Sequence, residues 1–184
     1  GSSVTVNGSG FYDYETGIHA LFNGTAISSG ITAGANGTWS TTFTIPATAR
    51  GSYLTTAQGS TTTTSQVPGK TFVLAPTVSI SPISGYAGQV VSVNGAGFAG
   101  SSVVSITYDG TAVTATPASI VSTASGNVSG SFMAPSSAPG AHTVAFNDGA
   151  GTINATFTVT SSVSSATTSG TVGAQTTING LGFP

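Results

Sequence analysis

The sequence predicts an all-β chain folded as tandem β-sandwich units. Three observations predict it: a residue supply that suits strands and starves helices, turn signals between short apolar runs, and an internal repeat of about 86 residues. Strong helix formers are nearly missing, with one Glu, one Lys, one Met and four Leu in 184 residues. Val, Ile, Thr, Phe and Tyr carry the apolar content, and these residues fit a pleated, half-buried surface.

The repeat sets the organisation. VTVNGSGF (4–11), VSVNGAGF (91–98) and TTINGLGF (176–183) place Asn7, Asn94 and Asn179 at intervals of 87 and 85. FNGTAI from Phe22 answers YDGTAV from Tyr108, WSTTFTIPATARGSY from Trp39 answers VSGSFMAPSSAPGAH from Val128, and KTFVL (70–74) answers ATFTV (155–159). Self-similarity at a fixed period marks stacked structural units.

Within the second unit, strands are expected near 78–81, 89–95, 102–108, 111–116, 127–134, 141–147 and 153–160. Ser84-Gly85, Gly95, Asp109-Gly110, Ser125-Gly126, Pro139-Gly140 and Asp148-Gly149 punctuate them. Alternation sets the faces: Val128, Gly130, Phe132 and Ala134 point one way, Ser129, Ser131 and Met133 the other. In the first unit Trp39, Thr41, Phe43 and Ile45 take the inward positions. Phe22-Asn23-Gly24-Thr25 and Tyr108-Asp109-Gly110-Thr111 read as tight hairpins, in which Asx-Gly supplies positive φ.

Charge excludes several functions. Only Arg50, Lys70, Asp13, Glu15, Asp109 and Asp148 are charged, whereas an ordinary domain has about a quarter of its residues charged. There is no basic patch for nucleic acid. Cys is absent, so there is neither a disulfide framework nor thiolate chemistry. No apolar run approaches the roughly 20 residues of a membrane helix, and the first residues do not read as a signal peptide. Ser and Thr make up about a third of the chain, yet mean hydropathy is positive and net charge is −2, which is not a disordered composition. Such a bare surface is either shielded or built to pack against copies of itself.

SPISGYAGQVVSVNGAGF (81–98), followed by ITYDGTAV, SGSF, PGAHTV and ATFTV, resembles the IPT/TIG class of immunoglobulin-like domains, and more closely the tandem immunoglobulin-like repeats of archaeal and bacterial cell-surface proteins. The resemblance implies an immunoglobulin-like sandwich, extracellular placement and head-to-tail arrays such as S-layers or surface filaments. It carries no catalytic residues and no cofactor. The alternative function it leaves open is an adhesin or carbohydrate-binding module of a larger secreted protein.

The frame gives three segments: 1–76, a sandwich without its leading strand; 77–160, a complete sandwich; and 161–184, either a linker with the first strands of a third repeat or a donor-strand tail. A window on a longer array explains this frame. So does strand exchange, in which the tail of one copy fills the first unit of the next, running on as a filament. On the second reading Ala166, Val172, Thr176, Ile178, Leu181 and Phe183 form the subunit interface, and the partners are copies of the chain itself.

Asn-X-Ser/Thr acceptors stand at Asn7, Asn23, Asn36, Asn127 and Asn154, so N-linked glycans are a second expected partner. The Asn-Gly of Asn7 also has a structural reading, because Asn94 and Asn179 repeat it without the acceptor. The NGxGF glycines read as a bulge or turn rather than a phosphate loop, since no helix follows them. Asp13 and Glu15, with His19 near, offer ligands of the kind calcium takes, but the second unit has no carboxylates in that loop, so no metal site is expected. His142 aligns with Tyr53 and reads as packing; Trp39 aligns with Val128 and reads as core. Tyr12 and Tyr14 are expected on the surface. No nucleophile motif is present, and no enzyme is expected.

Overall fold

A computed structural model of the chain describes residues 3–181. Those residues form strands and loops with no helix. They divide into two compact units, which part between Ala75 and Pro76.

The first unit contains β1 (Ser3–Gly8), β2 (His19–Phe22), β3 (Thr25–Ala26), β4 (Trp39–Thr44), β5 (Gly51–Gln58) and β6 (Lys70–Leu74). β1 and β4 pair antiparallel as one two-stranded sheet, with Val4 opposite Phe43 and Gly8 opposite Trp39. The other sheet runs β3-β2-β5-β6. Alternation on β4 comes out as expected, with Trp39 and Phe43 buried and Ser40, Thr42 and Thr44 exposed.

The second unit contains β7 (Thr77–Ser81), β8 (Ser84–Gly85), β9 (Val90–Ala96), β10 (Val103–Tyr108), β11 (Thr111–Ala112), β12 (Ala115–Thr116), β13 (Ile120–Val121), β14 (Val128–Met133), β15 (Gly140–Asn147) and β16 (Thr152–Val159). One sheet runs β12-β14-β9-β7. The other runs β11-β10-β15-β16-β8, with β13 also on β10. Inward residues of both sheets make one core, in which Val91, Val144, Phe146 and Phe157 are fully buried. This is an immunoglobulin-like sandwich.

The leading segment switches sheets. β7 is antiparallel to β9, the chain then crosses, and β8 lies parallel to β16. Thr77–Gly85 thus closes one side of the sandwich. The expected strand 111–116 is two pieces on different sheets: β11 turns back on β10, and β12 pairs with β14. A hairpin arm that short is used up within two residues, after which the chain crosses to the other sheet. β8 and β13 had no signature in the sequence, because a two-residue strand is too short to show alternation.

The last strands, β17 (Ser162–Ser165) and β18 (Ile178–Leu181), form an antiparallel hairpin. Its register repeats the β7–β9 pairing with every residue advanced by 85. Thr77 pairs with Ala96 and Ser162 with Leu181; Ile80 pairs with Val93 and Ser165 with Ile178. The intervening turn repeats too: Gln89 N–H donates to Tyr86 C=O, Ala174 N–H donates to Thr171 C=O, and Gly88 and Gly173 have φ of 86° and 89°.

Candidate functional site

The site is defined by comparing the two units position by position. Both NGxGF elements do the same local work. Gly10 and Gly97, the second glycines, have φ of 79° and 71°, a left-handed turn that suits Gly. The following Phe11 and Phe98 are buried and donate their N–H to Gly37 and Gly126 C=O at 3.2 and 3.0 Å. The first glycines leave room for a ring: a Cβ at Gly8 would overlap the Trp39 indole, and one at Gly95 would come within 2.5 Å of the Phe98 ring. This settles the glycines as a turn out of the strand.

The hairpins are as expected. Asn23 and Asp109 have φ of 51° and 48°, and the glycines after them 79° and 83°. Behind each hairpin an aromatic is stacked by a residue of the neighbouring strand. Tyr53 stacks on Phe22, with centroids 5.1 Å apart, and its hydroxyl donates to Ala49 C=O at 2.7 Å. His142 stacks on Tyr108 at 5.0 Å, and its Nε2 lies 2.8 Å from Ala138 C=O. In both, the carbonyl is four residues upstream. His142 therefore packs, as expected, and also binds: its Nδ1 is 2.6 Å from Asp109 Oδ2, while Thr143 N–H donates to Oδ1. The hydrogen bond to Asp109 Oδ2 raises the His142 pKa, and the same contact lowers that of Asp109.

One carboxylate braces the loops at one end of each unit, from opposite sides. In the first unit Glu15, in the β1–β2 loop, accepts from Thr61 N–H, Thr62 N–H, Thr62 Oγ1 and Tyr12 N–H. Burial pushes its carboxyl up, but these four bonds outweigh that and hold it at about 2. In the second unit Asp148, in the β15–β16 loop, accepts from Ala99 N–H in the β9–β10 loop, as well as from Ala150 and Gly151 N–H. Glu15 oxygens are thus occupied by N–H and O–H donors. Among the described residues no group of three His, Cys, Asp or Glu side chains stands where it could hold a metal ion.

The units part at the leading segment. β9 has β7 on its outer edge and β16 has β8. β1 and β6 have no partner there among the described residues. The sheets of the first unit therefore gape along one side, leaving a groove of about 480 Å³ lined by Val4, Val6, Trp39, Phe43, Ala57 and Phe72. The counterparts Val91, Val93 and Phe157 are 0%, 1% and 0% exposed, covered by Ile80 and Val78 of β7. Val4, Val6 and Phe72 are only half-buried. Trp39 is buried edge-on against Phe11, yet its Nε1–H has no hydrogen-bond partner. Sequence reasoning placed Trp39 in the core and missed that its indole also walls a groove.

The other expected positions are dispersed. Asn7, Asn23, Asn36, Asn127 and Asn154 are all exposed, and Asn36 Oδ1 accepts from Thr38 Oγ1 of its own acceptor triplet. Ala166, Val172, Thr176 and Ile178 are exposed on or beside the β17–β18 hairpin, and Leu181 ends it. Phe183 lies outside the described residues. Tyr12 and Tyr14 are 60% and 68% exposed, as expected of that loop.

Residues 76–160 match the IPT/TIG domain family. No curated protein sequence matches the chain. Among solved structures, one similar chain is the SGBP-B of the mixed-linkage glucan utilization locus of Bacteroides ovatus, in complex with a mixed-linkage heptasaccharide (16% identity, 89% of this chain and 42% of that one, TM-score 0.35). Another is the central fibronectin-III array of RIM-binding protein (11% identity, 85% and 63%, TM-score 0.31). A third is a chimeric titin Z1Z2–Z1Z2 tandem functionalised with an exogenous GRGDS peptide from fibronectin (16% identity, 86% and 90%, TM-score 0.27). The chain thus spans less than two thirds of the first two. Strand order and family match agree over the second unit: residues 76–160 carry an IPT/TIG immunoglobulin-like domain.

Proposed function

We propose that the chain is a structural, non-enzymatic, extracellular surface protein: a tandem array of immunoglobulin-like units that assembles with copies of itself into a filament or surface lattice. The observation that carries this is the recurrence of one plan along the chain: the Asx-Gly hairpin with its stacked ring stands in both units, and the β17–β18 hairpin repeats the β7–β9 register 85 residues on. The chain carries only six charged residues, which leaves little repulsion between copies. N-linked glycans at the exposed Asn7, Asn23, Asn36, Asn127 and Asn154 would keep the remaining surface soluble.

Electron microscopy of the purified chain tests the proposal. Ordered polymers or sheets are expected; monodisperse single copies at every concentration would refute it. Tyr12 and Tyr14, both exposed in one loop, favour a second reading as a glycan-binding module. That reading predicts monomers whose glycan binding is lost in Tyr12→Ala and Tyr14→Ala.

A further inference from the structure

We propose that Tyr12 and Tyr14 are the seat of a glycan that the chain itself carries on Asn36. This rests on the reading that Asn36 is glycosylated and names where that glycan lies.

The two loops that make the seat are joined through backbone. Phe11 and Tyr14 N–H donate to Gly37 and Gly34 C=O, each at 3.2 Å, and Ala33 N–H donates to Glu15 C=O at 2.8 Å. A Cβ at Gly37 would run into the Phe11 carbonyl, so the loops touch. Asn36 thus stands exposed on the turn beside the Tyr12–Tyr14 segment. Its Oδ1 accepts from Thr38 N–H at 3.3 Å and from Thr38 Oγ1 at 2.6 Å. Nδ2, the atom to which a glycan is joined, has no hydrogen bond among the described residues.

The second unit repeats this backbone without the seat. Phe98 and Ser101 N–H donate to Gly126 and Thr123 C=O, and Gly126 N–H donates to Thr123 C=O as Gly37 N–H does to Gly34 C=O. Ser101 has φ of 53° where Tyr14 has 58°. Yet where the first unit has Tyr12, Tyr14 and Asn36, the second has Ala99, Ser101 and Ser125. Rings and acceptor stand together in one unit and are replaced together in the other. The second unit's own acceptor in that loop, Asn127, takes the place of Thr38, with Ala99 and Ser101 in the neighbouring loop.

Two bare rings are a costly surface without an occupant. Tyr12 and Tyr14 are 60% and 68% exposed, and the left-handed φ of Tyr14 suits a small residue better than a bulky one. The loop is braced, since Glu15 accepts from Tyr12, Thr61 and Thr62 N–H and its own N–H closes on Tyr12 C=O at 3.0 Å. Rings on a braced turn are preorganised. A pyranose has a face of C–H bonds that packs on the electron-rich face of a phenol. Asp13, exposed between the rings, offers acceptors to sugar hydroxyls. The covalent tether makes the contact intramolecular, so weak contacts suffice.

The test uses the chain secreted from cells that N-glycosylate Asn-X-Ser/Thr with a glycan whose attached sugar is N-acetylglucosamine. Mass spectrometry of the Asn36 peptide reads occupancy. Nuclear Overhauser contacts between sugar protons and the Tyr12 and Tyr14 ring protons read the seat, with the Asn127 sugar as reference. Contacts from the Asn36 sugar are expected, and their loss in Tyr12→Ala/Tyr14→Ala. Trp39 fluorescence in urea gives a second readout. Enzymatic removal of the glycans should lower the midpoint of the first unit in the unaltered chain and in Tyr12→Phe/Tyr14→Phe, and by less in the alanine variant. An occupied Asn36 with no ring contact and equal midpoint losses in all three chains overturns the seat alone. A bare Asn36 overturns the seat and the glycan at that position together. Ring contacts with added free chitobiose, and none with the Asn36 sugar, overturn the seat in favour of the glycan-binding module.

Discussion

At the scale of the residue, Trp39 and Gly8 decide the interior of the first unit. The indole occupies the space a Cβ would need, so Gly8→Ala should destabilise that unit by about 1–3 kcal/mol, the usual range for overpacking. Trp39 is the sole tryptophan, so its fluorescence in a urea titration reads that unit. Glu15 sets the acid limit. Its folded pKa of about 2 lies below its ordinary 4.5, so its contribution is complete above 4.5 and is lost as pH falls towards 2. Glu15→Gln should flatten that acid limb in the same assay; an unchanged limb would show that the loop brace is idle. Trp39 was legible as a core residue; its contact with Gly8 and the Glu15 brace were not. Glu15 reads in sequence as a surface loop acid, because its partners Thr61 and Thr62 are 46 and 47 residues away.

At the scale of the element, the hairpins were legible and their backing was half legible. Asn-Gly and Asp-Gly announce positive φ by chemistry alone. Alignment of Tyr53 with His142 announced a shared place but not the shared device: a ring on an aromatic, tied to a carbonyl four residues back. Tyr53→Phe removes one such tie and should cost about 0.5–1.5 kcal/mol, measured by the same Trp39 urea titration. In the second unit the tie carries charge. Asp109, lowered from 3.8, contributes fully above 3.8 and fails as pH falls through its lowered value. His142, raised from 6.5, contributes fully below 6.5 and fails as pH rises through its raised value. The pair should therefore stabilise that unit most between pH 3.8 and 6.5, and His142→Ala should remove the loss on the alkaline side, read by the thermal midpoint across pH. The strand expected at 111–116 shows the limit of pattern: a chain that leaves one sheet for the other after two residues presents the same alternation as one that stays.

At the scale of the whole molecule, the spacing of 87 and 85 in sequence reappears as backbone register. The four β17–β18 pairs repeat β7–β9 pairs in the same register, and β1–β4 and β9–β14 both set Val opposite Phe. Repetition was readable because the landmarks are side chains that turns and cores demand. The leading strand near 78–81 was readable, but its crossing to the other sheet at Ser84–Gly85 was not, because strand pairing has no sequence code beyond alternation. Assembly of copies is the central proposal, and sedimentation of the purified chain across a concentration series tests it most directly. A mass that grows with concentration beyond that of one chain is expected; the mass of a single chain at every concentration would contradict it.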